Sequence, residues 1–359
     1  MSTRHGAWIR YGDALDAAQV DFAVGHYQVA ILQPWETDAL ATIKAARPDM
    51  TVLAYKCLSS TRSFEHGPVF TSGVCFEEAE ESGEEWFAHR ESGERIEWST
   101  YPGHWQMATW EADYRERWCD NVADELEGTL WDGIMADNDV FDDYYGLRPP
   151  LEGGRTMADL RRALDGFVPE VGARLNGIGK LLVPNIAESR RDRGRWARHS
   201  AFGGGFEEVW LAWGEDDYFD PQTADAQGAE VAGDGLTILR IASDGSDTHR
   251  NVLYGLAAMW VYGAGARGAF AATSPDGYSA TPYVPQLDVD LGTPTEPVQH
   301  RGNGRSRRFA GGWAAVNLNS AARRKVTFDV PDGLRDAAGR PAPARVTLAP
   351  HEGALYIAG

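Results

Sequence analysis

The chain has 359 residues, of which 43% are hydrophobic and 24% are charged, as is usual for a globular protein. Its formal net charge of −19 argues against nucleic acid and anionic membranes as partners, because both bind basic surfaces. The length fits one barrel of roughly 250 to 300 residues with a small domain attached.

Eight short apolar runs alternate with longer amphipathic segments along the chain. They span residues 7–11, 29–33, 51–55, 133–137, 180–184, 201–208, 236–241 and 266–272. Alternating strands and helices of this kind are typical of parallel α/β folds. Eight repeats predict a (β/α)8 TIM barrel, and an open doubly wound sheet is the alternative.

Four of the intervening segments have apolar residues at helical spacing. These predicted helices span residues 37–46, 114–126, 157–175 and 248–262. The last segment is apolar nearly all round, which predicts a helix buried on every side. The first residues lack the apolar core of a signal peptide, and we therefore expect a cytoplasmic protein.

Two regions depart from this alternation. An insertion at about residues 59–110 is first acidic and then aromatic, and we expect its aromatic side chains to form a substrate-binding wall. Residues 296–359 contain short strands joined by turn residues, which predicts a small β-sandwich-like domain. The barrel with its insertion then occupies residues 1–295.

Carboxylates follow several of the apolar runs, at the end of the strands where barrel enzymes build their sites. Asp137 closes the fourth run, and Glu208 ends the glycine-rich sixth run. Hydrolysis of a glycosidic bond needs one protonated and one ionised carboxyl group. We predict Asp137 as nucleophile or general base and Glu208 as general acid, with Glu207 and Glu215 as alternatives for the second carboxylate.

Other polar and aromatic residues after the runs are candidates for contacts with the substrate, a carbohydrate. They are Gln33, Trp35, Tyr55, Lys56, Asn138, Asp139, Asn185, Glu207 and Trp213. Hydroxyl, amide and ammonium groups bind sugar hydroxyls, and the flat rings of Trp and Tyr suit the faces of sugar rings. The chain has thirteen Trp residues, most of which we expect in the core.

We predict no cofactor and no metal. The glycines at 263, 265 and 268 follow a helix and precede a strand, the reverse of a dinucleotide-binding motif. The acidic run that begins at Asp137 has Asp142 and Arg148 where a calcium loop needs Gly and Glu. The cysteines Cys57, Cys75 and Cys119 are too far apart for a CxxC metal motif.

Four segments, at residues 51–56, 131–139, 203–210 and 308–317, together resemble the glycoside hydrolases catalogued as hypothetical glycosyl hydrolase family 15. The resemblance extends over nearly the whole chain. It implies a barrel of the glycosidase superfamily, with acidic residues after the fourth and sixth strands that match Asp137 and Glu208. It implies no particular substrate.

Two other functions remain open at this point. A non-catalytic carbohydrate-binding barrel predicts carboxylates that lie far apart or are paired with arginine. A metal-dependent barrel hydrolase would use Asp137, Asp139 and Asp142. If the protein is a glycosidase, the separation of its two carboxyl groups decides between retention and inversion. The sugar, the linkage and the oligomeric state stay open.

Overall fold

The computed structural model describes residues 4–233, 235–263, 265–274, 278, 280–320 and 324–359. Its first ten strands are β1 (Ala7–Arg10), β2 (Val29–Leu32), β3 (Thr51–Cys57), β4 (Ser60–Arg62), β5 (His104–Gln106), β6 (Gly133–Asp139), β7 (Leu181–Ile186), β8 (Gly204–Glu207), β9 (Leu236–Ala242) and β10 (Gly268–Thr273). All except β4 and β5 belong to one parallel sheet in chain order. A parallel bridge between Gly6 and Phe270 joins its two edges. The predicted barrel is confirmed, and the open sheet is wrong.

Eight α-helices accompany these strands in the described part of the chain. They are α1 (Ala17–His26), α2 (Thr37–Ala46), α3 (Phe76–Ser82), α4 (Ala112–Leu126), α5 (Met157–Gly177), α6 (Arg195–His199), α7 (Pro221–Glu230) and α8 (Arg250–Tyr262). The four predicted helices correspond to α2, α4, α5 and α8. None of the described helices is long and apolar enough to cross a lipid bilayer.

The glycine run at the start of β8 has a steric reason. Gly203 and Gly204 have φ angles of 151° and 157°, which side-chain-bearing residues rarely adopt. A Cβ atom on Gly204 would lie 2.2 Å from the carbonyl oxygen of Leu236 at the start of β9. Glycine therefore lets β8 enter the barrel beside β9, and the strand ends at the Glu207–Glu208 pair.

The insertion leaves the barrel at the C-terminal end of β3. It begins and ends with the antiparallel pair β4 and β5, and it contains α3. Its aromatic residues differ in how far they are exposed. Trp86 and Trp98 are buried, and Trp105 and Trp110 pack against the core, whereas Tyr101 is 51% exposed.

The C-terminal residues form two antiparallel sheets. The strands are β11 (Gln299–Arg301), β12 (Gly304–Phe309), β13 (Gly312–Asn317), β14 (Val326–Asp329), β15 (Leu334–Arg335), β16 (Arg345–Leu348) and β17 (Gly353–Ala358). A five-stranded sheet has the order β11-β12-β13-β17-β15, and β14 pairs with β16. Trp313, Phe328 and Leu348 fill the space between the sheets. The larger sheet packs against α8, which explains why that helix is apolar on all sides.

Candidate functional site

A single side-chain amide joins the two predicted catalytic carboxylates. Asn185 lies on β7, between β6, which carries Asp137, and β8, which Glu208 follows directly. Its Nδ2 donates to Oδ1 of Asp137 at 2.9 Å and to Oε2 of Glu208 at 2.8 Å. The two oxygens are therefore at most 5.7 Å apart, the length of both bonds end to end. Because the two N–H bonds of an amide diverge by about 120°, we place them about 5 Å apart.

The contacts of Asp137 all come from donors. The Tyr55 hydroxyl donates to Oδ2 at 2.7 Å, and the backbone N–H of Asn138 donates to Oδ1 at 2.8 Å. With the Asn185 amide, three donors hold this half-buried carboxyl group in one orientation. Each oxygen of the Asp137 carboxyl group thus accepts at least one hydrogen bond.

Glu208 has a different environment. Burial, followed by the negative charge of Asp137, raises the pKa of Glu208 above its ordinary range, against the opposing charge of Arg240. The Tyr278 hydroxyl donates to Oε1 of Glu208, and Arg240 donates to its backbone oxygen at 3.4 Å. The two carboxyl groups thus have different environments, and that of Glu208 favours its protonated form.

Three tyrosines lie beside the two carboxyl groups. The ring of Tyr11, directly after β1, has its centre 4.8 Å from that of Tyr55 and 4.8 Å from that of Tyr278, both edge-on. The outer two tyrosines each donate to one carboxylate, Tyr55 to Asp137 and Tyr278 to Glu208. The barrel mouth between Asp137 and Glu208 is therefore bordered by Asn185 and by this tyrosine row.

A cavity adjoins Glu208 and Asn185. Its lining includes Asn138, Tyr144, Tyr145, Asn185, Glu188, Arg190, Glu207, Glu208 and Trp213. Arg190 is paired with Glu188 at 2.7 Å and lies over the ring of Phe219 at 4.1 Å. Trp213 is 47% exposed at this cavity, with Arg190 over its ring at 5.6 Å and the Phe219 ring edge-on at 5.9 Å. The lining combines hydrogen-bonding groups with an aromatic face, which suits a sugar.

The neighbours considered as alternatives to Glu208 have other surroundings. Glu207 is buried and accepts from the backbone N–H of Val209 at 3.1 Å, and burial raises its pKa to about 7. Glu215 is half-buried and makes no hydrogen bond to Asp137 or Asn185 in the described part of the chain. Of the three glutamates, only Glu208 shares a hydrogen-bond donor with Asp137.

Two predicted substrate contacts point elsewhere, and we correct them. Lys56 is fully buried, and its Nζ donates to Glu125 and to the Phe70 carbonyl, both at 2.6 Å. Asp139 is fully buried and bonds Arg195 and His199, both at 2.5 Å. Successive side chains on a strand face opposite sides. Lys56, next to Tyr55, therefore faces the helix layer. Lys56 and Asp139 both stabilise the barrel wall.

The remaining predicted contacts lie at the same end of the barrel. Gln33 is buried after β2 and donates to the Tyr11 carbonyl at 2.6 Å, and Trp35 is 46% exposed nearby in sequence. Asn138 is buried, lines the cavity and accepts from the Tyr145 hydroxyl. Trp98 of the insertion stacks on Tyr145 with ring centres 3.8 Å apart, so it supports the cavity wall from behind.

Sequence reasoning missed Tyr11, Tyr278 and Arg240. Tyr11 is the last residue of the first apolar run, and this position was a usable signal. For the proposed metal site, Asp139 bonds Arg195 and His199, and Asp142 pairs with Arg191 at 2.6 Å. Within the described residues, no three potential ligands converge on a point that could hold a metal ion.

The sequence model of hypothetical glycosyl hydrolase family 15 matches residues 44–313, most of the chain. No curated protein matches the chain. The α-amylase of Geobacillus thermoleovorans is similar in structure, with a TM-score of 0.54, 11% identity, and coverage of 99% of this chain and 98% of that one. A maltogenic α-amylase from Thermotoga neapolitana has a TM-score of 0.53 and 9% identity, with coverage of 99% of this chain and 98% of that one. The cycloalternan-degrading enzyme of Trueperella pyogenes has a TM-score of 0.54 and 10% identity, with coverage of 99% of this chain and 62% of that one. At these identities the likeness concerns the fold alone.

Proposed function

The chain belongs to hypothetical glycosyl hydrolase family 15, and from this premise we propose that it is a retaining glycoside hydrolase that cleaves O-glycosidic bonds of a carbohydrate. The observation that carries the proposal is the Asn185 amide, which bonds Asp137 at 2.9 Å and Glu208 at 2.8 Å. Retaining enzymes have carboxyl groups about 5 to 5.5 Å apart, and inverting enzymes need roughly 6.5 to 9.5 Å to fit a water. The bridge supports the shorter class.

In this mechanism Asp137 is the nucleophile. Its carboxylate attacks the anomeric carbon while protonated Glu208 gives its proton to the leaving oxygen, so that the glycosidic bond breaks and a glycosyl ester with Asp137 forms. Glu208, now ionised, takes a proton from water, and that water attacks the anomeric carbon and releases Asp137. The raised pKa of Glu208 suits the first step, and loss of the Asp137 charge in the ester favours ionised Glu208 for the second.

The rival function, a non-catalytic carbohydrate-binding barrel, predicts carboxylates that are separated or paired with arginine. Among the described residues, no ion pair with arginine includes Asp137 or Glu208. Arg240 donates to the backbone oxygen of Glu208 and to the side chain and carbonyl of Thr273, and not to the Glu208 carboxyl group. This geometry favours catalysis over simple binding.

Sugar contacts form the second part of the proposal. Trp213 stacks on a sugar ring at the cavity, and Asn138 and Glu207 bind hydroxyl groups there. Gln33 and Trp35 extend the surface on the side of β2. No cofactor enters the mechanism.

The test is hydrolysis of a panel of nitrophenyl glycosides and polysaccharides by the wild type, Asp137→Asn and Glu208→Gln. We expect both variants to lose at least 1000-fold in kcat on substrates with poor leaving groups. Glu208→Gln still forms the glycosyl ester from dinitrophenyl glycosides, because their leaving group needs no acid. NMR of the first product released by the wild type shows the retained anomer. Glu215→Gln and Asp142→Asn are matched carboxylate controls. Unchanged rates in both site variants, or an inverted first product, contradict the proposal.

A further inference from the structure

The hydroxyl of Tyr11 is the one tyrosine hydroxyl of the row whose partner is missing. Tyr55 donates to Asp137 and Tyr278 donates to Glu208, but the Tyr11 hydroxyl has no solvent contact and no hydrogen-bond partner among the described residues. A buried polar group without a partner destabilises the folded state. Such a group at a functional site calls for an explanation in terms of a ligand.

A hydrogen bond holds the backbone of Tyr11, and two other tyrosine rings contact its ring. The amide of Gln33 donates to the Tyr11 carbonyl at 2.6 Å, and the rings of Tyr55 and Tyr278 flank it at 4.8 Å. Burial, aided by the negative charges of Asp137 and Glu208, raises the pKa of Tyr11 well above its ordinary value. The hydroxyl is therefore protonated at any working pH and can donate a hydrogen bond close to both carboxylates.

We propose that Tyr11 is a substrate-contacting residue, and that its hydroxyl donates a hydrogen bond to an oxygen of the sugar bound between Asp137 and Glu208. This inference rests on the proposed function. It adds a specificity: the sugar carries an oxygen acceptor at that position, and an analogue without that oxygen leaves the Tyr11 hydroxyl unsatisfied.

Tyr278 explains why this hydroxyl is covered in the free protein. Its ring packs edge-on against Tyr11, and its hydroxyl donates to Oε1 of Glu208. With Oε2 of Glu208 bonded to Asn185, Oε1 is the oxygen left to face the leaving group. A sugar that takes this place displaces the Tyr278 hydroxyl, and the same side-chain rotation uncovers Tyr11.

The first test compares Tyr11→Phe with Tyr254→Phe. Tyr254, in α8, also has a buried hydroxyl without a partner among the described residues, but it lies in the separate hydrophobic cluster that includes Phe309 and Leu355. We expect the urea midpoint of both variants to equal or exceed that of the wild type, because each loses an unsatisfied group. On the nitrophenyl glycoside that the wild type cleaves fastest, kcat/KM falls at least ten-fold for Tyr11→Phe and less than two-fold for Tyr254→Phe.

The second test locates the sugar oxygen with a series of monodeoxy nitrophenyl glycosides. For one member of the series, the wild type loses as much kcat/KM as Tyr11→Phe loses on the parent glycoside, and Tyr11→Phe loses nothing more. A structural role for Tyr11 gives the same loss on every member. The same loss on every member overturns the inference. So does a Tyr11→Phe activity within two-fold of the wild type, and so does a lowered urea midpoint of Tyr11→Phe.

The inference and the proposed function can fail separately. Binding of the panel glycosides is measured by tryptophan fluorescence. If the wild type binds some of them but cleaves none, the proposed function fails. The inference on Tyr11 is then tested by the Kd, which we expect to rise ten-fold for Tyr11→Phe. If the wild type neither cleaves nor binds any member, both are overturned. If hydrolysis depends on Asp137 and Glu208 but not on Tyr11, only the inference fails.

Discussion

Tyr55 and Asp137 lie at the C-terminal ends of the paired strands β3 and β6, and the Tyr55 hydroxyl donates to Oδ2 of Asp137 at 2.7 Å. We predict that Tyr55→Phe lowers kcat about 10- to 100-fold, because the nucleophile loses one of the donors that orient it. The ring and its packing remain, so the melting temperature changes by less than 3 °C, or about 1 kcal/mol. Steady-state kinetics and a thermal melt check both; unchanged kcat contradicts the prediction.

Lys56, the neighbour of Tyr55 in sequence, should give the opposite result. Its ammonium group is fully buried against Glu125 and the Phe70 carbonyl, on the helix side of the barrel wall. We predict that Lys56→Met lowers the free energy of unfolding by about 2 to 4 kcal/mol, because Glu125 loses its partner. The kcat of the folded fraction stays within two-fold of the wild type. Urea unfolding and active-site-normalised rates measure this, and a large drop in kcat at full stability would restore Lys56 to the site.

Asp137 should control the proton affinity of Glu208. The negative charge of Asp137 is second only to burial among the causes that raise the pKa of Glu208. Because a like charge disfavours the ionised form, Asp137→Asn lowers the pKa of Glu208 relative to the wild type. Carbon-13 NMR titration of labelled glutamate measures the shift. In Asp142→Asn, whose carboxylate pairs with Arg191, the Glu208 resonance should titrate as in the wild type; an equal shift in both variants refutes the assignment.

Asn185 should separate positioning from charge. In Asn185→Ala the two carboxylates lose their common donor, and we predict a fall in kcat of about 100-fold with KM changed much less. Asn185→Asp keeps the size but places a third carboxyl group where the amide now contacts Asp137 and Glu208. That like charge raises the pKa of Glu208 further, so the alkaline limb of the pH–rate profile moves to higher pH. An alkaline limb that stays in place means that Asn185 does not contact both groups in solution.

The strands of the barrel were predictable because most of them consist of, or contain, a short apolar run bounded by turn residues. The carboxylates at their ends followed from the same pattern. Lys56 shows a limit that could have been avoided: Tyr55 and Lys56 are consecutive on β3, so only one of them can face the barrel interior. Asp139 is harder, because its partners Arg195 and His199 lie in α6, more than fifty residues away, and no local pattern brings them together.

The tyrosine row depends on ring closure. Tyr11 follows β1 and Tyr278 follows β10, at opposite ends of the barrel sequence, and the Gly6–Phe270 bridge brings these strands side by side. The double hydrogen bond of Asn185 depends in the same way on β7 lying between β6 and β8. Sequence patterns predict that such side chains meet at one end of the barrel, but contacts between particular atoms depend on register and strand order.

Glu207 should make the stability of the protein depend on pH. Burial raises its pKa from 4.5 to about 7, so between these values the folded protein keeps a proton that the unfolded chain has released. The free energy of unfolding therefore falls as pH rises through this window, by about 3 kcal/mol for this group. Glu207→Gln keeps the shape and cannot ionise. We predict equal stability of variant and wild type near pH 4, and a more stable variant by about 3 kcal/mol above pH 7.5. Urea unfolding of both proteins from pH 4 to 8 measures the difference, and a difference that is constant with pH shows that Glu207 does not titrate in this range.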